Sequence, residues 1–162
     1  MKILPKDTQI LSALRKNARA SLTKISRETK IPVSTIFERL KNFQKVAIHK
    51  YTTLVDFKRF GFTTKAFVIL KFDKADKEIA FSILQKSIPI NSSYKVNNGY
   101  DILLECIFKD IRELEEFFEE FEKKVRIKAK QIFHVIEDLK QQEFLANPEH
   151  LKITSELKEK LG

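Results

Sequence analysis

The chain has 162 residues, 43% of them hydrophobic with 14 Phe, enough to bury the core of one domain or of two small ones. One cysteine, Cys106, excludes an intrachain disulfide. The absence of a signal-peptide core or of about 18 consecutive apolar residues points to a cytoplasmic protein with no membrane partner. The formal charge of +9 is concentrated, because residues 1 to 62 hold 14 Lys and Arg against 4 Asp and Glu, whereas residues 63 to 162 come to −1.

That asymmetry predicts a basic lobe facing a polyanion, since clustered cations gain affinity by releasing counterions from phosphates, and a second lobe with another task. In chain order, Asp7 or Thr8 can cap a first helix whose Ile10, Leu11 and Leu14 form an apolar stripe ending near Asn17. Ser21 is placed to cap a second helix with Leu22 and Ile25 inward and Lys24, Arg27 and Lys30 exposed. Pro32 fits the start of a third, where a missing N–H costs nothing. Wound at 3.6 residues per turn, the stretch KIPVSTIFERLKNFQK puts Val33, Ile36, Phe37, Leu40 and Phe43 on one face. Thr35, Glu38, Arg39, Asn42 and Lys45 fall on the other. Two short helices a few residues apart, the second of them two-faced, make a helix-turn-helix, whose second helix enters a DNA major groove.

After Lys45 the period changes. AIHKYTTLV reads as an extended strand and DFKRFG as a turn closing at Gly61. From Thr63 onward TKAFVILKF is a strand, and DKEIAFSILQKS is a helix with Ile79, Ile83 and Leu84 in register. NSSYKV and YDILLECIF are strands, DIRELEEFFEEFEKK is a helix with a Leu114, Phe117, Phe118 and Phe121 stripe, and KAKQIFHVIEDL is a strand. The order β-α-β-β-α-β describes a ferredoxin-like sandwich with both helices on one face. Asn147 can cap a last helix from Pro148 to Leu161, which is expected either to pack on a partner subunit or to be partly disordered. The fold class is α+β, a winged helix-turn-helix domain followed by the sandwich and a helical extension. The expected boundaries are residues 1–50 for DNA binding, 51–62 for a linker strand and turn, 63–140 for the sandwich and 141–162 for the extension.

In this reading Lys24, Arg27, Lys41 and Lys45 neutralise phosphates of double-stranded DNA, while Thr35, Glu38, Arg39 and Asn42 reach base edges. Arg39 is the first choice, since a guanidinium can donate two hydrogen bonds to a guanine; pairing with Glu28 or with a phosphate is the alternative. One such module buries too little surface for a stable specific complex, so the sandwich is expected to make a homodimer presenting two recognition helices. No catalytic or metal site and no cofactor is expected: His49, His134 and His150 lack metal-ligand spacing, and neither a phosphate loop nor a nucleophile elbow is present.

These stretches together resemble the Lrp/AsnC (leucine-responsive, feast/famine) regulators over roughly residues 5 to 140. ILSALRKNAR is similar to the family's first helix and turn, VSTIFERLKNF to its recognition helix with Ser34, Thr35 and Arg39 at matching positions, and KYTTLVDFKRFGF to its linker. Pro32 stands where the family usually has Ser, and Lys24 where it has Glu; the family's Gly after the recognition helix is replaced around Val46 and Ala47. The family's Val-Thr-Gly-x-Tyr-Asp turn appears as Val96-Asn97-Asn98-Gly99-Tyr100-Asp101, with Asn98 at the glycine position. The resemblance implies a transcription regulator assembling as a dimer, tetramer or octamer, with an amino-acid effector at Asn98, Gly99, Tyr100 and Asp101. Two alternatives remain. One is a sirohaem-decarboxylase-like enzyme, whose usual Arg-Arg-Ile-Gly stretch is replaced here by His49-Lys50-Tyr51-Thr52; the other is a sequence-tolerant DNA-packaging protein.

Overall fold

A computed structural model describes residues 4–146 of the chain. These divide into two compact units, one built from residues 4–54 together with residues 139–146, the other from Val55–Asp138. The predicted terminal helix from Pro148 to Leu161, with its cap Asn147, lies outside the described residues.

The first unit contains α1 (Pro5–Lys16), α2 (Leu22–Thr29) and α3 (Val33–Val46). Helix α1 begins earlier than expected, with Leu4 at the cap in place of Asp7 or Thr8 and Pro5 in its first turn, because Asp7 acts from inside the helix. Its Oδ2 accepts the Leu4 N–H at 2.7 Å, satisfying one of the amides that a helix start leaves unpaired. Ser21 caps α2 as predicted, its Oγ accepting the Lys24 N–H at 3.2 Å. The helix ends at Lys30, whose left-handed backbone (φ 59°) makes the turn into α3. Ile10, Ala13, Ile25, Ile31, Ile36 and Phe43 form the buried core of this unit.

Residues 48–56 carry no strand, so the expected linker strand and wing are not formed there. A β-branched run makes a strand only when a neighbour pairs with its backbone. The turn that follows is a short 3₁₀ segment, Phe57–Phe60, closed by Gly61 at φ 85°.

The second unit has the order β1 (Thr64–Phe72), α4 (Lys77–Lys86), β2 (Ile90–Lys95), β3 (Ile102–Phe108), α5 (Ile111–Glu122) and β4 (Ile127–His134). All strand pairs are antiparallel in the order β2-β3-β1-β4, which is the predicted ferredoxin-like sandwich. Ala66, Val68, Leu70 and Phe72 of β1 and Ile102, Leu104, Cys106 and Phe108 of β3 point into one core with Leu84 of α4 and Leu114, Phe118 and Phe121 of α5. Leu84 is buried and Ile83 half-buried as expected in the α4 stripe, but Ile79 is exposed and Ala80 and Phe81 are buried in its place. Strand β4 stops at His134 rather than running on to Leu139, since Ala66 is its partner there and β1 itself begins at Thr64. Cys106 is a buried core residue, and burial pushes its thiol up to about 12, with the charge of Glu105 adding to the effect.

Candidate nucleic-acid interface

The third helix is the element on which the candidate site depends, and its two faces are separated by burial. Ile36 and Phe43 are fully buried and Leu40 is half-buried, which fixes the inward stripe. Ser34, Glu38, Lys41, Asn42 and Lys45 are exposed along the opposite side, and Thr35 is half-buried at its edge. Seven of the predicted contact residues, Arg39 included, thus share one helix, and five of them are exposed. Lys24 and Arg27 are exposed on α2, Lys24 lying 4.0 Å from Glu28 in an i,i+4 pair that water screens. The lobe presents more cations than anions on both helices, which suits contact with a phosphate backbone.

Three residues depart from the predicted faces. Val33 and Phe37, expected inside, are 41% and 55% exposed. Successive helix residues are about 100° apart, so Phe37 lies roughly a quarter-turn from the fully buried Ile36 and slips past the edge of the stripe. Arg39, expected outward and first in line to read a base, turns its Nε to within 3.4 Å of Asp7 Oδ1; its side chain is only 29% exposed, and that of Asp7 is fully buried. The Oδ1 atom makes no hydrogen bond, so the guanidinium is what compensates this buried charge. Asp7 is therefore a site-positioning residue that sequence reasoning missed, having treated it as a cap. That it is one of only four acidic residues against 14 Lys and Arg in residues 1 to 62 was the one available signal.

Residues 139–146 pack with α1. Arg15 donates to the backbone carbonyls of Phe144 at 3.0 Å and Gln142 at 2.5 Å, and Ser12 Oγ donates to that of Ala146 at 3.4 Å. The expected boundary at residue 141 thus falls inside a segment that belongs with the helical unit.

In the sandwich, the expected effector turn is formed by Asn98 and Gly99, both left-handed at φ 59° and 87°, a conformation asparagine tolerates and glycine adopts freely. Asn98 and Gly99 are exposed, while Tyr100 and Asp101 are half-buried. Asp101 is occupied within the fold: Oδ2 accepts the Phe72 N–H at 2.9 Å and Oδ1 lies 2.6 Å from Lys77 Nζ. Burial alone would raise its carboxyl, but the Lys77 ammonium and the Phe72 amide outweigh this and hold it below the usual carboxylate range. His49 and His134 are exposed, and among the described residues no group of three or more His, Cys, Asp or Glu side chains is placed to hold a metal. Among them, too, no helix is long and apolar enough to cross a membrane.

Comparison with known proteins agrees with this geometry. The model of winged helix-turn-helix DNA-binding domains matches residues 3–45. The HTH-type transcriptional regulator FL11 of Pyrococcus abyssi is 30% identical over 114 residues, covering 70% of this chain and 76% of that protein. Among solved structures, Bacillus subtilis LrpC superposes with a TM-score of 0.79 at 21% identity, over 87% of this chain and 99% of the other. A transcriptional regulator from Neisseria meningitidis, NMB0573 in complex with L-Met, superposes with a TM-score of 0.78 at 21% identity, over 86% and 94%. At these identities the structural matches establish the fold, and the relative in sequence establishes the kinship.

Proposed function

The chain belongs to the Lrp/AsnC family of helix-turn-helix transcriptional regulators, and from that premise we propose how its own residues read DNA. The observation that carries the reading is the outward face of α3, where Ser34, Glu38, Lys41, Asn42 and Lys45 are accessible together. With α3 in the major groove, Lys24, Arg27, Lys41 and Lys45 neutralise phosphates and set the register, while Ser34, Thr35, Glu38 and Asn42 meet base edges. Arg39 acts differently in this proposal. Held by Asp7, it fixes the angle of α3 against α1 and leaves at most its outer edge for the duplex.

Oligomerisation is the second part of the proposal. The sheet face away from α4 and α5 carries Phe67, Ile69, Leu103 and Ile107 with the exposed Phe133 opposite Phe67. An apolar sheet face of that kind is suited to burial against a second copy, which would bring two recognition helices to half-sites one helical turn apart. A dimer is the smallest assembly that does this, and tetramers and octamers extend it. The third part is an amino-acid effector at the Asn98–Asp101 turn, supported by the two left-handed residues and by the L-Met complex of the Neisseria regulator. Such a ligand shifts the assembly only if it binds two arrangements with different affinity. The work is proposed to take place in the cytoplasm.

Selection of bound duplexes from a random pool, with and without an amino-acid mixture, tests the reading. A discrete palindromic consensus and a matching footprint support it. Uniform coverage of any duplex replaces it with DNA packaging, which the basic lobe alone would also permit. The decarboxylase alternative gives way to the kinship with regulators. Sedimentation of the full chain tests the assembly, with a monomer at micromolar concentration as the outcome that removes it.

A further inference from the structure

We propose that Phe37, with Val33 one turn before it, reads the methyl group of a thymine in the major groove, so that operators of this protein carry thymine at a fixed position beneath the N-terminal half of α3. The inference rests on α3 being the DNA-reading helix and assigns a specificity role to residues that the sequence pattern placed in the core. Phe37 is 55% exposed and Val33 41% exposed, and neither takes part in the buried clusters of either unit. Four residues apart, they lie on one edge of the helix and form a continuous apolar strip. The strip sits inside a polar, cationic setting: Ser34, Glu38 and Lys41 flank it on α3, and Lys30 at the end of α2 is exposed nearby in sequence.

That setting selects the occupant. The thymine methyl is the apolar feature that base pairs display in the major groove, and side chains such as Phe meet it there while neighbouring cations meet the phosphates on either side. A second copy of this chain would suit the strip poorly, because docking it would bring two lobes of like charge together around Lys30 and Lys41. The recognition face thus combines hydrogen-bonding groups for polar base edges, in Ser34, Glu38 and Asn42, with an apolar strip for the one group that hydrogen bonding cannot read.

The experiment uses the full chain and a tight-binding duplex taken from the random pool, in which each thymine is replaced in turn by deoxyuridine, removing the methyl and nothing else. Wild-type binding should weaken about fourfold at one thymine, the size expected for one methyl taken from water. Phe37→Ala should bind the thymine and deoxyuridine duplexes alike at that position while keeping the wild-type salt dependence, and Phe37→Leu should retain part of the discrimination. Indifference of the wild type to every replacement, or undiminished discrimination in Phe37→Ala, overturns the inference while leaving the regulator reading intact. A Phe37→Ala protein that changes its sedimentation but not its methyl discrimination also overturns it and makes the strip a contact between copies. Failure to recover any preferred duplex instead removes the DNA reading on which the inference stands.

Discussion

The Nε atom of Arg39 lies 3.4 Å from Oδ1 of Asp7, joining the middle of the recognition helix to the first turn of α1 through a carboxylate whose side chain is fully buried. The other oxygen of that carboxylate accepts the Leu4 N–H at 2.7 Å, so one side chain both starts α1 and orients α3. Removing either partner from such a pair strands a charge in the interior, which costs more than the pair itself contributes. Arg39→Ala is therefore expected to lower the stability of the helical unit by about 2 to 4 kcal/mol. A double-mutant cycle with Asp7→Asn, which keeps an acceptor for Leu4, should return a coupling of about 1 kcal/mol or more in chemical unfolding. Additive losses would show that the two side chains are mere neighbours and that Arg39 remains available for a base.

Two other residues of α3 separate positioning from reading. Lys45 is exposed near the C-terminal end, and Lys45→Ala should weaken binding to selected and random duplexes alike, making the salt slope shallower by about one. Asn42 is exposed one turn from Glu38, and Asn42→Ala should instead relax preference at a discrete base pair by about 1 to 3 kcal/mol with the slope unchanged. Equal responses from both variants, read by titration at several salt concentrations, would place Asn42 on the backbone and leave base reading to the other outward residues.

The sandwich should respond to acid through Asp101. Its carboxyl is held below the usual range by Lys77 and the Phe72 amide against the opposing effect of burial. A depressed carboxylate stabilises the fold above its unfolded pKa of about 3.9, and that contribution is lost as pH falls through the lower folded value. Asp101→Asn should accordingly reduce stability at neutral pH and flatten the acid limb of the stability profile below about pH 4. Parallel acid limbs for the two proteins would mean that the Asp101 pair is not what couples this turn to protons.

Much of this was legible in the chain. A continuous apolar run placed β1 at Thr64–Phe72 to the residue, and the cap Ser21 started α2 where a short polar side chain precedes an apolar stripe. The charge imbalance and the two-faced third helix identified the DNA-binding lobe before any coordinates. Those features are local, since an apolar run, a cap or a stripe is specified by residues a few positions apart.

What local pattern could not supply is the choice made at the borders of the stripe and between distant segments. Arg39 and Phe37 both sit beside the inward face of α3, and only the packing of α1 decides that the arginine is drawn toward a buried carboxylate while the phenylalanine is left in water. The run from Ala47 to Val55 has the composition of a strand but no paired strand there, and residues 139–146 belong with α1 through bonds that span more than a hundred residues. Helix periodicity constrains an angle only to within a quarter-turn, and sequence separation carries no information about which distant backbone will be adjacent. Those outcomes depend on which partner is near enough to compensate a charge or complete a hydrogen bond, and proximity of that kind exists only once the chain has folded.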